Sequence, residues 1–351
     1  MTLRLAQSLV ALNWRVEWFS AAYPGAASQE YRDGIDYVRG GSALTVHFRA
    51  FLRYRGTSRF SAVIDEVNTV PFFTPLYLRA RRFMLMFQLA REVWFYEVCW
   101  PLNVLGYILE PLYLLPYRFE NIITISRSSR ASFREIGLRG PINLVPIATD
   151  GQSASSDARP YLRSNDVITV SRLTRSKRIE HSIKAAALLA ARGWEGKLHV
   201  VGTGAAAYGA ELKRLAQREL ADRVVFHSRV PDVERSRLMR SSAVLWMTSV
   251  REGWGLVVCE AALERTPAVV FDVPGLRDAV RNGVTGFVVA PNAQALAAAT
   301  ARLLAGDARK MGNAAHALAS TYSWAQSGAE LHRLLNEPMN DSYAPQIAGQ
   351  R

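Results

Sequence analysis

The stretch REGWGLVVCE (251–260) sets two carboxylates, Glu252 and Glu260, eight positions apart, with Gly253, Trp254 and Gly255 directly after the first. An apolar run long enough for a helix begins at Leu256. Glycines at a helix N-terminus let backbone N–H groups approach an anion such as phosphate, and the helix dipole favours the negative charge. Glu260, on the second turn, is suited to accept hydrogen bonds from two vicinal hydroxyls, as on a ribose. Glu252, in the loop, can accept from a sugar hydroxyl or interact with a departing group. A second set, SRLTRSKRIE (171–180), carries Arg172 and Lys177 five positions apart. Two cations on such a loop can neutralise a diphosphate leaving group. A third, VVGTG (200–204), ends in Gly202 and Gly204, where backbone can come close to a ligand. Each piece alone has a plain reading as well: a turn with solvated acids, a basic loop, a turn glycine.

The elements that must position these residues follow from the hydrophobic pattern. From about residue 163, β-branched runs alternate with helical spacing. The strand runs are 166–173, 197–204, 223–230, 243–249, 267–273 and 285–290, with helices between them and a last one over 293–306. This alternation predicts βαβ units and a parallel sheet covered on both faces. Each candidate loop directly follows a strand, so each stands at a carboxyl end, where such sheets bind ligands. The first half is less regular. RVEWFSA, GIDYVRG, SAVIDEV, RFMLMF, NIITIS and INLVPI are its strand candidates, which together read as a second α/β domain. Asp65 and Glu66 end one of them, as capping or solvated residues or to orient an acceptor hydroxyl. The polar, proline-ended DGQSASSDARP stretch reads as a linker over 151–162, between a domain at 1–150 and one at 163–321.

Composition bounds the function classes. The chain has 351 residues, 49% hydrophobic and 21% charged, enough for a sizeable core in two domains and unlike a disordered composition. Its net charge of +13 suggests an anionic partner. The charge is scattered, RARR (79–82) being the densest run, which weighs against nucleic acid. Two distant cysteines and six histidines without ligand spacing imply neither a disulfide framework nor a metal, and fit a reducing cytoplasm. The start, MTLRLAQSLVALNW, is helix-like without a signal-peptide layout. VCWPLNVLGYIL (98–109), then Glu110 and PLYLLPY, is too short and interrupted to span a bilayer. It is expected to form a buried helix pair; its aromatics and flanking basic residues leave open an interfacial contact with the inner membrane surface.

Taken together, SRLTRSK, VGTG, EGWGLVVCE, AALERTPAVVFD and VRNGVTGFVVAP resemble, in order and spacing over about 165–305, the C-terminal half of a group 1 glycosyltransferase (glycosyltransferase family 4). The resemblance implies an α/β GT-B fold, two Rossmann-like domains facing a cleft. It implies a retaining, metal-independent transferase without cofactor that takes a nucleotide-sugar donor. Arg172 and Lys177 would contact its diphosphate, Glu260 the ribose and Glu252 the transferred sugar, with the Gly253–Trp254–Gly255 backbone and Leu256 beside them. Arg178 replaces the family's glycine after the lysine and is expected to add charge near the phosphates. FQLAREVWFYE, YRFENIITISRSSRASFREIGL and LVPIATD resemble the acceptor domain more faintly, and the segment 322–337 resembles a last helix that packs back toward it. Phe87 occupies the position where many members carry a cleft histidine. The family's opening strand and glycine-rich loop have no counterpart, so the N-terminal domain is expected to be incomplete. The acceptor expected from the apolar 98–117 region and basic surface is a glycan, lipid-linked or of the cell envelope. The rival readings are a non-catalytic GT-B remnant that binds sugar nucleotide or a partner, a sugar-nucleotide epimerase, and a nucleic-acid-binding module.

Overall fold

A computed structural model of the chain describes residues 1–149 and 164–337. The linker expected at 151–162 lies outside the described residues.

In the C-terminal half, six short strands form one wholly parallel sheet. The strands before it along the chain are β1 (Val16–Ser20), β2 (Gln29–Arg32), β3 (Ile35–Arg39), β4 (Ala62–Glu66), β5 (Arg81–Leu85), β6 (Asn121–Thr124) and β7 (Ile142–Leu144). The six are β8 (Val167–Val170), β9 (Leu198–Val201), β10 (Val224–His227), β11 (Val244–Met247), β12 (Ala268–Phe271) and β13 (Gly286–Val289). Their order is β10-β9-β8-β11-β12-β13. The chain builds outward from β8 in one direction, returns, and builds outward through β11 in the other. The switch point therefore falls between β8 and β11. The central strands are buried on both faces, as in β8, β11 and β12, because helices cover both sides.

The N-terminal half holds two sheets. One is parallel, β4-β5-β6-β7; the other pairs β1 with β3 in parallel and β3 with β2 antiparallel. All six strand candidates of this half are strands. β2 was not among them: QEYR is polar and largely exposed, and its pairing with β3 holds it in place without an apolar signal.

The helix Trp324–Asn336 opens with a capping box at Ser323 and lies against the helix Thr2–Ala11. Leu331, Leu334 and Leu335 share a core cluster with Leu5, Leu9, Phe83 and Ile123. The Arg81 guanidinium ties its C-terminal carbonyls, donating to Leu335 O (2.8 Å) and Leu334 O (2.9 Å).

The 98–117 region corrects its expectation. The helix Leu102–Tyr113 is not buried: its apolar side chains face outward, and its one carboxylate, Glu110, is fully buried. Glu110 accepts the backbone N–H groups of Ala90 and Arg91, so a polar bond set holds the helix where apolar packing was expected. Burial pushes the Glu110 carboxyl up, opposed by those two N–H groups. No helix among the described residues is long and apolar enough to cross a membrane.

Candidate active site between the two domains

The switch point brings the two candidate loops side by side. β8 and β11 are hydrogen-bonded neighbours, so the loop after β8, with Arg172 and Lys177, runs beside the loop after β11, with Glu252. Val250 N donates to Ser176 O (2.9 Å), and Thr248 Oγ1 donates to Lys177 O (2.7 Å). These bonds bring the Lys177 ammonium onto the Glu252 carboxylate in a direct ion pair, with Ser249 Oγ donating to the same Glu252 oxygen (2.7 Å). The two side chains are only 16% and 17% exposed. Arg175, on the same loop, turns away to the exposed Glu211.

A cavity of about 380 Å³ opens over this pair. One wall is Ser171, Arg172, Lys177, Glu252, Gly253, Trp254, Gly255 and Leu256; the other is Val67, Asn68, Phe87, Gln88 and Ile125 of the N-terminal half. Gly255 caps the helix Leu256–Leu263 in a left-handed conformation and adds no side-chain cap, and the first-turn residues Leu256 and Val257 line the cavity. The Trp254 side chain, which helps line the wall, is held from behind: its indole N–H donates to Cys259 Sγ (3.1 Å), and its ring meets Tyr322 edge-on. Burial pushes the Cys259 thiol up to about 11, so it is a packing group.

Glu260 does not line this cavity. Its carboxylate pairs with Arg235 (3.3 Å), a residue of the helix Asp232–Ser241 that the sequence did not single out. Gly202 and Gly204 also stand outside the cavity lining. A Cβ on either would fall 1.9 Å from the carbonyl of Ser171 or Leu173, so these glycines allow the 171–173 backbone to lie against the turn after β9 and thereby hold Arg172. Arg178 is not among the residues that line the cavity. It adopts φ +49°, where the family pattern has glycine, and its guanidinium folds back onto Thr248 O and Ser249 O. Burial pulls its pKa down, and it stacks on Phe271. Of the readings given for Asp65, the structure shows the capping one. It is buried, accepting from Thr74 Oγ1 (2.9 Å), Thr74 N, Phe72 N and the Tyr117 hydroxyl, and so pins the loop after β4. Glu66 accepts from Thr2 Oγ1 (2.6 Å).

Three contacts that the sequence did not reveal cross the cleft. Arg251, nearly fully buried, donates to Glu92 (2.8 Å) and Ser132. Burial alone would raise the Glu92 carboxyl, but the Arg251 bond, a backbone N–H and the charges of Arg251 and Arg91 together hold it low. Glu97 accepts from Ser176 N (3.2 Å), and Asp278 from Ser128 N (3.2 Å). Their partners lie at least a hundred residues away in most cases, a separation that no periodicity encodes. Phe87 lines the cavity opposite Gly253, so the N-terminal wall presents an apolar ring at that point. Among the described residues no cluster of three or more His, Cys, Asp or Glu side chains could hold a metal.

Comparison with known proteins fits this geometry. Residues 154–318 match the family model for glycosyl transferases group 1. The chain is 30% identical over 210 residues to D-inositol 3-phosphate glycosyltransferase of Nocardia farcinica, covering 55% of this chain and 47% of that protein. It is 31% identical over 175 residues to alpha-D-kanosaminyltransferase of Streptomyces kanamyceticus, covering 49% of this chain and 45% of the other. It thus spans about half the length, or less, of these curated relatives. Among solved structures it resembles sucrose-phosphate synthase of Thermosynechococcus elongatus (TM-score 0.75, 21% identity, 95% of this chain and 91% of that one). It also resembles Anabaena HepE in complex with UDP-glucose (TM-score 0.67, 20% identity, 86% of each chain). The architecture is that of a GT-B protein. The likeness to the group 1 glycosyltransferases lies in the C-terminal domain, where the family model matches.

Proposed function

We propose that the protein transfers a sugar, with retention of configuration, from a nucleoside diphosphate sugar to a glycan acceptor held in the interdomain cleft. The observation that carries this reading is the Lys177–Glu252 pair at the switch point, beside Arg172 and the uncapped helix N-terminus at Leu256. The donor diphosphate lies against Arg172, Lys177 and those N–H groups, where positive charge meets the charge that develops as the bond breaks. Glu260 holds the ribose, exchanging its contact with Arg235 for the two hydroxyls. The C1–O bond to the β-phosphate breaks with its electron pair going to the phosphate oxygen. The acceptor oxygen bonds C1 from the same face, and its proton passes to that phosphate oxygen. Glu252 orients the sugar. The two cations supply the charge that a metal supplies elsewhere, so the transfer is metal-independent and needs no cofactor. Asn68 and Gln88 face the same cavity from the N-terminal half; the Gln88 side-chain oxygen is buried without a partner, and we assign it to an acceptor hydroxyl. An acceptor on a lipid carrier or an envelope glycan suits the apolar surface of this half.

The test is release of nucleoside diphosphate from UDP-, GDP-, ADP- and dTDP-sugars, with the native chain beside Glu260→Ala. Release from one donor that the variant loses supports the reading and names the donor. Donor binding without release for any acceptor favours a sugar-nucleotide-binding protein; neither binding nor release overturns both.

A further inference from the structure

The outward-facing helix Leu102–Tyr113 belongs to a larger surface. Leu105, Ile108 and Leu112 are spaced at three and four residues and lie on one exposed face, with Leu102 and Leu109 beside them. Ile108 is 54% exposed, Leu112 52% and Trp100, just before the helix, 78%. The helix Val46–Tyr54 carries a second exposed apolar group, Phe48, Phe51 and Leu52, with Leu44 before it. The two groups are joined. The Phe51 ring packs on Tyr77 (5.4 Å), and Thr74, three residues earlier, donates its N–H to the Tyr117 hydroxyl (3.2 Å) just past the end of the Leu102–Tyr113 helix. Leu76 and Leu115 are exposed along that seam.

The charge on this surface has one sign. Segments 40–60, 67–82 and 98–119, which build it, contain a single acidic residue, Glu110, and that one is fully buried. Arg49, Arg53, Arg55 and Arg118 are exposed around the apolar groups. The Arg55 guanidinium lies over Phe51 (5.8 Å) and that of Arg118 over Phe119 (5.3 Å), so their stems cover apolar surface and their charges stand at its rim. The nearest acids of the neighbouring segments are engaged: Glu92 with Arg251, Glu97 with Ser176 N and Glu120 with Arg82. An apolar platform rimmed by arginines and cleared of acids is complementary to acyl chains beneath anionic headgroups. A protein partner would need a matching apolar face with its own acids. A second copy would set arginine rim against arginine rim.

We propose that this face docks on the surface of an anionic lipid bilayer, with the Leu102–Tyr113 helix seated at the headgroup boundary. The helix is braced for it. Gly106 lies so close to Trp94 that a Cβ there would come within 2.5 Å of the ring, and Arg91 sits over Tyr107 (3.8 Å). Trp94 begins the short helix Trp94–Glu97, whose Glu97 reaches the Ser176 N–H beside Lys177. Docking therefore places the cleft mouth at the membrane surface.

The test is flotation of the full chain with vesicles of phosphatidylcholine alone or mixed with phosphatidylglycerol, without donor or acceptor, so that failure here leaves the transferase reading standing. Binding to the anionic vesicles only, weakened by salt, is expected. Arg53→Gln with Arg55→Gln should lower the partition coefficient about five-fold per arginine at low salt. Ile108→Ser with Leu112→Ser should lower it about ten-fold or more. All four side chains are exposed, so thermal midpoints should hold. Quenching by brominated lipid should fall in Trp100→Phe. No binding to anionic vesicles, or binding that neither double variant alters, overturns the proposal. So does a concentration-dependent dimer, seen by light scattering and lost in Ile108→Ser/Leu112→Ser, that binds no vesicle; that result assigns the face to a second copy.

Discussion

Glu252→Gln separates the two roles that the cleft assigns to Lys177. In the ligand-free chain the lysine ammonium is already engaged by the Glu252 carboxylate, and both side chains are mostly shielded from water. A diphosphate arriving at Arg172 and Lys177 must share that ammonium and also meet the negative charge of Glu252. Glutamine keeps the shape and can still accept from Ser249 Oγ, but removes the charge. Two unit charges about 4 Å apart interact by about 4 kcal/mol at an effective dielectric constant of about 20. Desolvation and the remaining hydrogen bonds offset much of this, which leaves a net gain of about 1–2 kcal/mol for the incoming diphosphate. The nucleoside diphosphate without its sugar should thus bind about 5- to 30-fold more tightly to the variant. Transfer should slow by about 100-fold, because the sugar loses its orienting carboxylate. Titration calorimetry gives the first quantity and single-turnover transfer the second. Arg175→Gln is the control: its exposed pair with Glu211 points away from the cavity, and affinity should stay within about two-fold. An unchanged or weaker diphosphate affinity in Glu252→Gln would refute the competition, and with it the placement of the diphosphate on Lys177.

Three further outcomes follow from individual contacts. Arg172→Gln should weaken donor binding about ten-fold, while a chelator leaves transfer unchanged; loss of activity on chelation would overturn the metal-independent reading. Asp65→Ala leaves the Thr74 hydroxyl, two backbone N–H groups and the Tyr117 hydroxyl without their shared acceptor, so it should cost about 3–5 kcal/mol in denaturant unfolding. Asp166 is opposed by burial, yet bonds from His199 and the Lys197 N–H pull its carboxyl from 3.8 to about 2. A depressed carboxyl contributes stability above its unfolded value, and that contribution is lost as pH falls through the folded one. Asp166→Asn should therefore flatten the fall of stability between those two pH values; an unaltered acid limb would show that another group carries it.

The candidate site was legible to the extent that its parts are local. EGWGLVVCE and SRLTRSK each follow a β-branched run, so their position at strand carboxyl ends could be read from the pattern alone. Their mutual contact could not, because it depends on β11 pairing with β8 rather than with β10, its predecessor in sequence. Arg178 shows the same limit in one residue. Its charge is visible in sequence, but its direction is set by the left-handed turn and by the two carbonyls of the neighbouring strand end.

The sequence by itself determined the alternation of strands and helices, the α/β class, and the residue types that can meet a diphosphate and a pair of hydroxyls. These are properties of short segments, where a side-chain period of two or of about 3.6 residues records which faces must be buried. Tertiary structure alone decided which loops meet, that Glu260 rests on Arg235, and that Asp65 serves a loop instead of the cleft. It also decided that the most apolar helix of the first half stays uncovered. Hydrophobicity states that a segment gains by leaving water; only the packing of distant elements states whether anything in the same chain is there to cover it.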